Sequence, residues 1–386
     1  MKIMFLFAAM ASVAFASCTT DESVFDAAKE QGKIEFVAAN YVAQTRGGHD
    51  TNGYATFSNA DFSVYSWEDG TNYALMNNVG VTYADGACTV SGTYYWPNKE
   101  AMDFTAVSPA AETGDKGVAT VDRTSAGAST ITFEFAKASD NDNKTNLMYA
   151  DEVTQTYDYD ATSAPNNNPN VVLLFRHVLA KLKVVLTQKD PDTFEAGVKS
   201  YEVKVKSLKM SNIQECGKLV VNETYMNAAK NDNANTVWTL ASTPVTTEWT
   251  IHTNNEGTSL QKNEFDANGK LTKTAKNYES TAKDYANYYV MPQAITEDDA
   301  TTEDVEGQYI TIEYDVVTTF TSGTVATRPY TRTIPLSKMK SDVANWYTNK
   351  YITYTINISP ANLVPITFSV KEEHWCEEVK GSDNVE

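Results

Sequence analysis

Tyr351-Ile352-Thr353-Tyr354-Thr355-Ile356-Asn357-Ile358 is the stretch that decides the fold. Ile352, Tyr354, Ile356 and Ile358 alternate with Tyr351, Thr353, Thr355 and Asn357. Every second side chain can therefore face a core while its neighbours meet water. A period of two belongs to a strand, and β-branched and aromatic residues fit a pleated, half-buried surface. The same alternation recurs upstream. It runs through Lys33-Ile34-Glu35-Phe36, Thr130-Ile131-Thr132-Phe133-Glu134-Phe135, Tyr201-Glu202-Val203-Lys204-Val205 and Tyr309-Ile310-Thr311-Ile312-Glu313-Tyr314. Turn signals punctuate the runs at Asn52-Gly53, Asp69-Gly70, Asp85-Gly86 and Asn268-Gly269. Helical patterning is scarce; Met339, Val343 and Trp346 predict one short helix within Pro335–Trp346. The expected fold class is all-β, with sandwiches or barrels rather than βαβ units.

Composition agrees. The chain has 386 residues, enough for two domains and at most three. With 42% hydrophobic, 11% aromatic and 21% charged residues, it is too apolar for a disordered chain and too polar for a membrane bundle. Thirty-one Lys and Arg against 50 Asp and Glu leave a net charge of −19. Such a surface repels phosphate backbones and anionic lipid, so no nucleic-acid partner is expected. A polar loop at 159–170 precedes the apolar segment Val171–Leu186, which predicts chain buried between two domains and a junction at about 180–188. Residues 221–305, rich in Asn, Thr, Ala and Lys, read as long hairpins and loops on the second domain.

The N-terminus speaks to the compartment. Met1-Lys2 opens an apolar and small-residue run to Ser17, too short for a lasting membrane span. Phe15-Ala16-Ser17-Cys18 resembles the end of a bacterial lipoprotein signal peptide, with Cys18 as the lipidated first residue. The membrane would then be touched only through that lipid. An ordinary secretory signal cut near Ala16 or Ser17 is the plain alternative. Thr19-Thr20-Asp21-Glu22 resembles the export signal of surface lipoproteins. Beyond Cys18 stand Cys88, Cys216 and Cys376, too few for a disulfide scaffold and at spacings that fit no zinc pattern.

The catalytic inventory is thin. His49, His177, His252 and His374 form no ligand pattern with a Cys or carboxylate, and His177 reads as a core or interface histidine. No nucleophile elbow, P-loop or dinucleotide fingerprint occurs. Asp140-Asn141-Asp142 has the start of a calcium loop without its Gly or closing Glu. Tyr94-Tyr95-Trp96 reads as core packing before a sugar platform. The expectation is a protein that is not an enzyme, with no cofactor and no metal.

An ordered set of segments carries a family resemblance. After Cys18 come Ile34-x-Phe36, Thr45-Arg46, Phe62-x-Val64-Tyr65-x-Trp67 and Tyr94-Tyr95-Trp96-Pro97, then Met102-Asp103-Phe104-x-Ala106 and Leu147-Met148-Tyr149-Ala150. Val171-x-Leu173-x-Phe175-x-His177-x-Leu179-Ala180-Lys181-Leu182 follows, then Val290-Met291-Pro292-Gln293, Trp346, and Ile366-x-Phe368-x-Val370 with Trp375. In order and spacing this resembles the fimbrillin-like family, type V pilin subunits of Bacteroides-type bacteria.

The resemblance implies two tandem transthyretin-like β-sandwich domains. It implies a signal peptide at 1–17, a propeptide with the first strand at 18–46, an N-terminal sandwich at 47–183 and a C-terminal one at 184–386. It also implies outer-membrane export as a lipoprotein and cutting by an Arg-specific surface protease between Arg46 and Gly47. Head-to-tail polymerisation with other fimbrial subunits into surface fimbriae follows, with adhesion to a host receptor or glycan. Physically, a sandwich that loses a strand exposes an apolar groove that recruits a strand from another chain. Ile366, Phe368 and Val370 repeat the Ile-x-Phe spacing of Ile34 and Phe36, so about 366–375, closing on Trp375, is the expected donor strand. The alternatives are a solvated Arg46, a last strand that stays in its own domain, and a monomeric surface lipoprotein or an anchor or tip subunit.

Overall fold

The computed structural model describes residues 32–41, 54–56, 59–97, 99–110, 118–125, 128–136, 146–158, 169–189, 195–214, 216–230, 238–240, 246–266, 271–273, 283–296, 307–339, 343–360 and 367–374. The first half runs β1 (Glu35–Tyr41), β2 (Tyr54–Thr56), β3 (Asp61–Glu68), β4 (Ala74–Ala84), β5 (Ala87–Val90), β6 (Ala101–Ser108), β7 (Val118–Ser125), β8 (Ala128–Ala136), β9 (Met148–Thr156) and β10 (Asn170–His177). The second half opens with β11 (Ala180–Gln188), β12 (Val198–Gln214), β13 (Cys216–Val221), α1 (Glu223–Lys230), β14 (Thr239–Leu240), β15 (Thr246–Phe265) and β16 (Leu271–Lys273). It closes with β17 (Lys283–Val290), β18 (Gln293–Ala294), β19 (Tyr309–Phe320), β20 (Val325–Pro335), β21 (Asn345–Trp346), β22 (Lys350–Ile358) and β23 (Thr367–His374). The molecule is all-β, as its alternating runs predict. The Asp85-Gly86 signal closes the β4–β5 hairpin: Ala84 pairs with Ala87, and both turn residues have positive φ, 52° and 83°.

Three cores organise the strands. An eight-stranded sheet, ordered β2-β1-β10-β9-β6-β3-β4-β5, curls around the first core, which holds Phe36, Phe62, Trp96, Phe104, Leu173 and Phe175. The second core lies between the β17-β11-β22-β23 and β16-β15-β12-β19-β20 sheets. There the inward residues of the opening stretch, Ile352, Tyr354, Ile356 and Ile358, meet Leu182, Val203 and Ile312. Fully burying an aliphatic side chain of this kind contributes about 1.5–3 kcal/mol.

The third core sits on the other face of the eight-stranded sheet. Tyr65, Trp67 and Val107 pack there against Ile131 and Phe133 of β8 and Leu219 and Val221 of β13. With cover on both sides, β3 is buried at every position from Phe62 to Trp67 instead of alternating. One exchange crosses the expected junction at 183/184. β13 pairs antiparallel with β8, from Cys216↔Ala136 to Val221↔Ile131, in a sheet ordered β14-β13-β8-β7. The reading of 221–305 as hairpins and loops on the second domain is thereby corrected for its beginning. Asn222 caps a helix there, its Oδ1 accepting from Tyr225 N at 3.0 Å, and Met226 enters the third core. The expected helix within Pro335–Trp346 is corrected too. A 3-10 turn spans Leu336–Met339, and Asn345–Trp346 pairs as a strand with Gln293–Ala294.

Candidate functional site at the first strand

β1 is an internal strand built from a short alternating run. It lies parallel to β10, from Glu35↔Asn170 to Asn40↔Phe175, and antiparallel to β2, from Ala39↔Thr56 to Tyr41↔Tyr54. Its inward side chains Ile34, Phe36, Ala38 and Asn40 are all buried. The Phe36 ring meets Phe104 edge-on with centroids 6.0 Å apart. The chain is also tied down before the strand: Trp96 N donates to Gly32 O at 3.0 Å and Ile34 N to Tyr94 O at 2.9 Å. The sheet curls far enough to bring Cys88 of β5 beside the Ala38 backbone, and burial pushes this thiol up to about 11.

At the other end of the chain, β23 is the outer strand of the β17-β11-β22-β23 sheet. It pairs antiparallel with β22, from Asn357↔Thr367 to Lys350↔His374. Phe368 stands opposite Ile356 and Val370 opposite Tyr354, with Val370 half-buried against the second core. β1 and β23 thus occupy different sheets. Cys18, Arg46, Gly47, Ile366 and Trp375 lie outside the described residues, as do Asp140-Asn141-Asp142 and Cys376.

The buried charges pair with one another. Arg123 Nη2 donates to Asp103 Oδ2 at 2.6 Å, with both side chains almost wholly enclosed, and its guanidinium lies over the Trp67 ring at 5.2 Å. Thr154 Oγ1 donates to the second Asp103 oxygen at 2.5 Å. Arg176 Nε donates to both oxygens of Asp151, at 3.0 and 2.9 Å. His177 is buried with Nδ1 2.8 Å from Asn146 Oδ1, and burial lowers its pKa to about 3. That fits the core histidine read from its neighbours. Among the described residues no group of three or more His, Cys, Asp or Glu is placed to hold a metal. None of their helices is long and apolar enough to cross a membrane.

The fimbrillin-like family model matches residues 45–375. The chain belongs to the fimbrillin-like family. A solved fimbrial protein from Bacteroides vulgatus ATCC 8482 is similar in fold at a TM-score of 0.53, with 19% identity over 89% of this chain and 99% of its own. A candidate cell adhesion protein from Bacteroides uniformis ATCC 8492 is 16% identical over 90% of this chain and 100% of its own, at a TM-score of 0.45. No curated protein matches the chain. One role within the quoted segments was not legible beforehand. Gln293 accepts from Gln214 N at 3.0 Å and donates back to Gln214 O at 3.2 Å, so a side chain pairs with the end of β12 as a strand would. Its position just after Met291-Pro292, where the backbone cannot continue the ladder through Pro, was the available signal.

Proposed function

We propose that this fimbrillin-like chain is a structural subunit of a surface fimbria. It is exported as a lipoprotein on Cys18, anchored in the outer membrane by that lipid, and cut by an Arg-specific protease after Arg46 so that the mature subunit starts at Gly47. The halves 47–183 and 184–386 act as two tandem transthyretin-like units, the second lending its β13 to the first. Loss of β1 opens a groove along β10, and a strand of a second copy fills it, with Ile366, Phe368, Val370 and Trp375 as the donor side chains. The contact is head-to-tail and builds a filament. Receptor or glycan binding belongs to the assembled fimbria.

One observation carries this reading. β1 is an internal strand with Phe36 and Ala38 in the first core, and it is followed by the segment 42–53 that contains Arg46. Its removal would leave a ready edge on β10. A second reading is favoured by β23, whose eight-pair ladder to β22 suits a subunit that keeps its last strand, as an anchor, a tip or a monomeric surface lipoprotein would. Electron microscopy and gels of the purified chain after Arg-specific digestion separate the two. Filaments and boiling-sensitive ladders that vanish on truncation after Val364 are expected. A folded, cut protein that stays monomeric would overturn the polymerising reading.

A further inference from the structure

β1 is uneven along its length. Its inward positions run Ile34, Phe36, Ala38, Asn40: two large apolar side chains, then one methyl, then an amide, all buried. Removing Ile and Phe from water is strongly favourable, whereas a methyl contributes little and an amide adds little apolar burial. Backbone pairing flanks both ends, so the difference lies in the side chains and in the outer neighbour. Before Ile34 the chain is held by Tyr94 O and Trp96 N, and Lys33 bridges Tyr95. Beyond Ala38 the outer neighbour is β2, three residues long and last in its sheet.

We infer that β1 opens from its Asn40 end toward Ile34, so that β10 from Leu173 to Phe175 is where an incoming extended segment of a second copy first pairs. The identity of that segment rests on the strand-exchange reading; the direction of opening stands without it. Cys88 lies beside Ala38 and therefore reports the end that opens first. A thiol that is covered and protonated reacts slowly, and uncovering it restores the reactive thiolate.

Hydrogen exchange on the full-length chain is the direct test. The hydrogen-bonded amides within 38–41 should exchange about tenfold or more faster than those within 34–36, as a strand fraying from one end requires. Equal rates, or a reversed order, overturn the inference. The second arm uses a chain with Cys18, Cys216 and Cys376 replaced by Ser. There Asn40→Leu should slow Cys88 alkylation about tenfold, while Ile34→Ala should leave it within about twofold. An Ile34→Ala acceleration as large as the Asn40→Leu slowing also overturns it. In the third arm, a peptide of residues 364–375 is added to the Arg-cut protein and should protect Cys88. Failure of the peptide to bind, with the exchange gradient intact, sinks the strand-exchange reading and the first-pairing site with it, but leaves the direction of opening standing.

Discussion

Trp238 donates its indole N–H to the carbonyl oxygen of Val178 at 2.9 Å. Val178 and Leu179 are the two buried residues between β10 and β11, so this bond fastens the point where one half of the chain passes into the other. Tyr225 of α1 reinforces it. Its hydroxyl donates to Thr348 Oγ1 at 3.4 Å, and its ring meets Tyr149 edge-on at 6.2 Å. The halves are joined twice, through the backbone and through the third core.

Trp238→Phe should keep most of the packing while taking a partner from the buried Val178 carbonyl, a loss of about 1–3 kcal/mol. Trp238→Ala should cost about 3–5 kcal/mol, because it also leaves a cavity. Urea unfolding followed by circular dichroism measures both. A Trp238→Ala loss below ~1 kcal/mol would show that the junction does not depend on this side chain.

The Asp103–Arg123 pair is enclosed, with side-chain exposures of 3% and 1%. Asp103→Asn or Arg123→Met alone should each cost about 3–5 kcal/mol, since a charge is left buried without its counterpart. Changing both together should recover most of that loss. A double-mutant cycle in urea decides it, and additive single losses would contradict the coupling.

His177 is held neutral by burial, its pKa lowered from 6.5 to about 3. The unfolded chain takes up the proton first as pH falls, so the stability this group confers is complete above 6.5 and drains away toward pH 3. The slope is about 1.4 kcal/mol per pH unit. His177→Gln should therefore be less stable than the parent at pH 7 yet lose about 2 kcal/mol less between pH 6.5 and 5. Parallel pH profiles for the two chains would rule this out.

Gly32 passes close over Tyr157: a Cβ there would lie 2.5 Å from the ring. The ring is stacked on Trp96 at 6.0 Å and cannot turn away without disturbing the first core. Gly32→Val should destabilise the full-length chain by about 1–3 kcal/mol. A fragment beginning at Gly47, as proposed for the mature subunit, would lack residue 32 and be unchanged by the substitution. Thermal melts before and after Arg-specific digestion make the comparison; a normal full-length melt would refute the close approach.

The strands were legible where one face meets water. Ile352, Tyr354, Ile356 and Ile358 announce β22 because a half-buried strand must alternate. β3 is different: Phe62 to Trp67 lie between two cores, and local periodicity cannot report a second layer supplied by distant chain. The same limit hid the β13–β8 ladder, since pairing between Leu219 and Phe133 is a long-range choice. α1 could have been read from Asn222 and the Ala-rich turn that follows. Met339, Val343 and Trp346 had helical spacing, yet pairing of Trp346 with Gln293 overrode it. At the candidate site the alternation of Ile34 and Phe36 located the strand, whereas the approach of Cys88 to Ala38 comes only from the curl of the sheet.

The segment 42–53 that separates β1 from β2 is twelve residues long. A tether of such length holds a strand near its own groove at an effective concentration of about millimolar. A rival strand from another molecule, present at far lower concentration, cannot compete with it on equal terms. On the strand-exchange reading proposed above, an intact chain would resist premature association by mass action unless the rival strand bound far more tightly. Severing that single stretch would remove the advantage at once, turning a private equilibrium into an open contest decided by affinity.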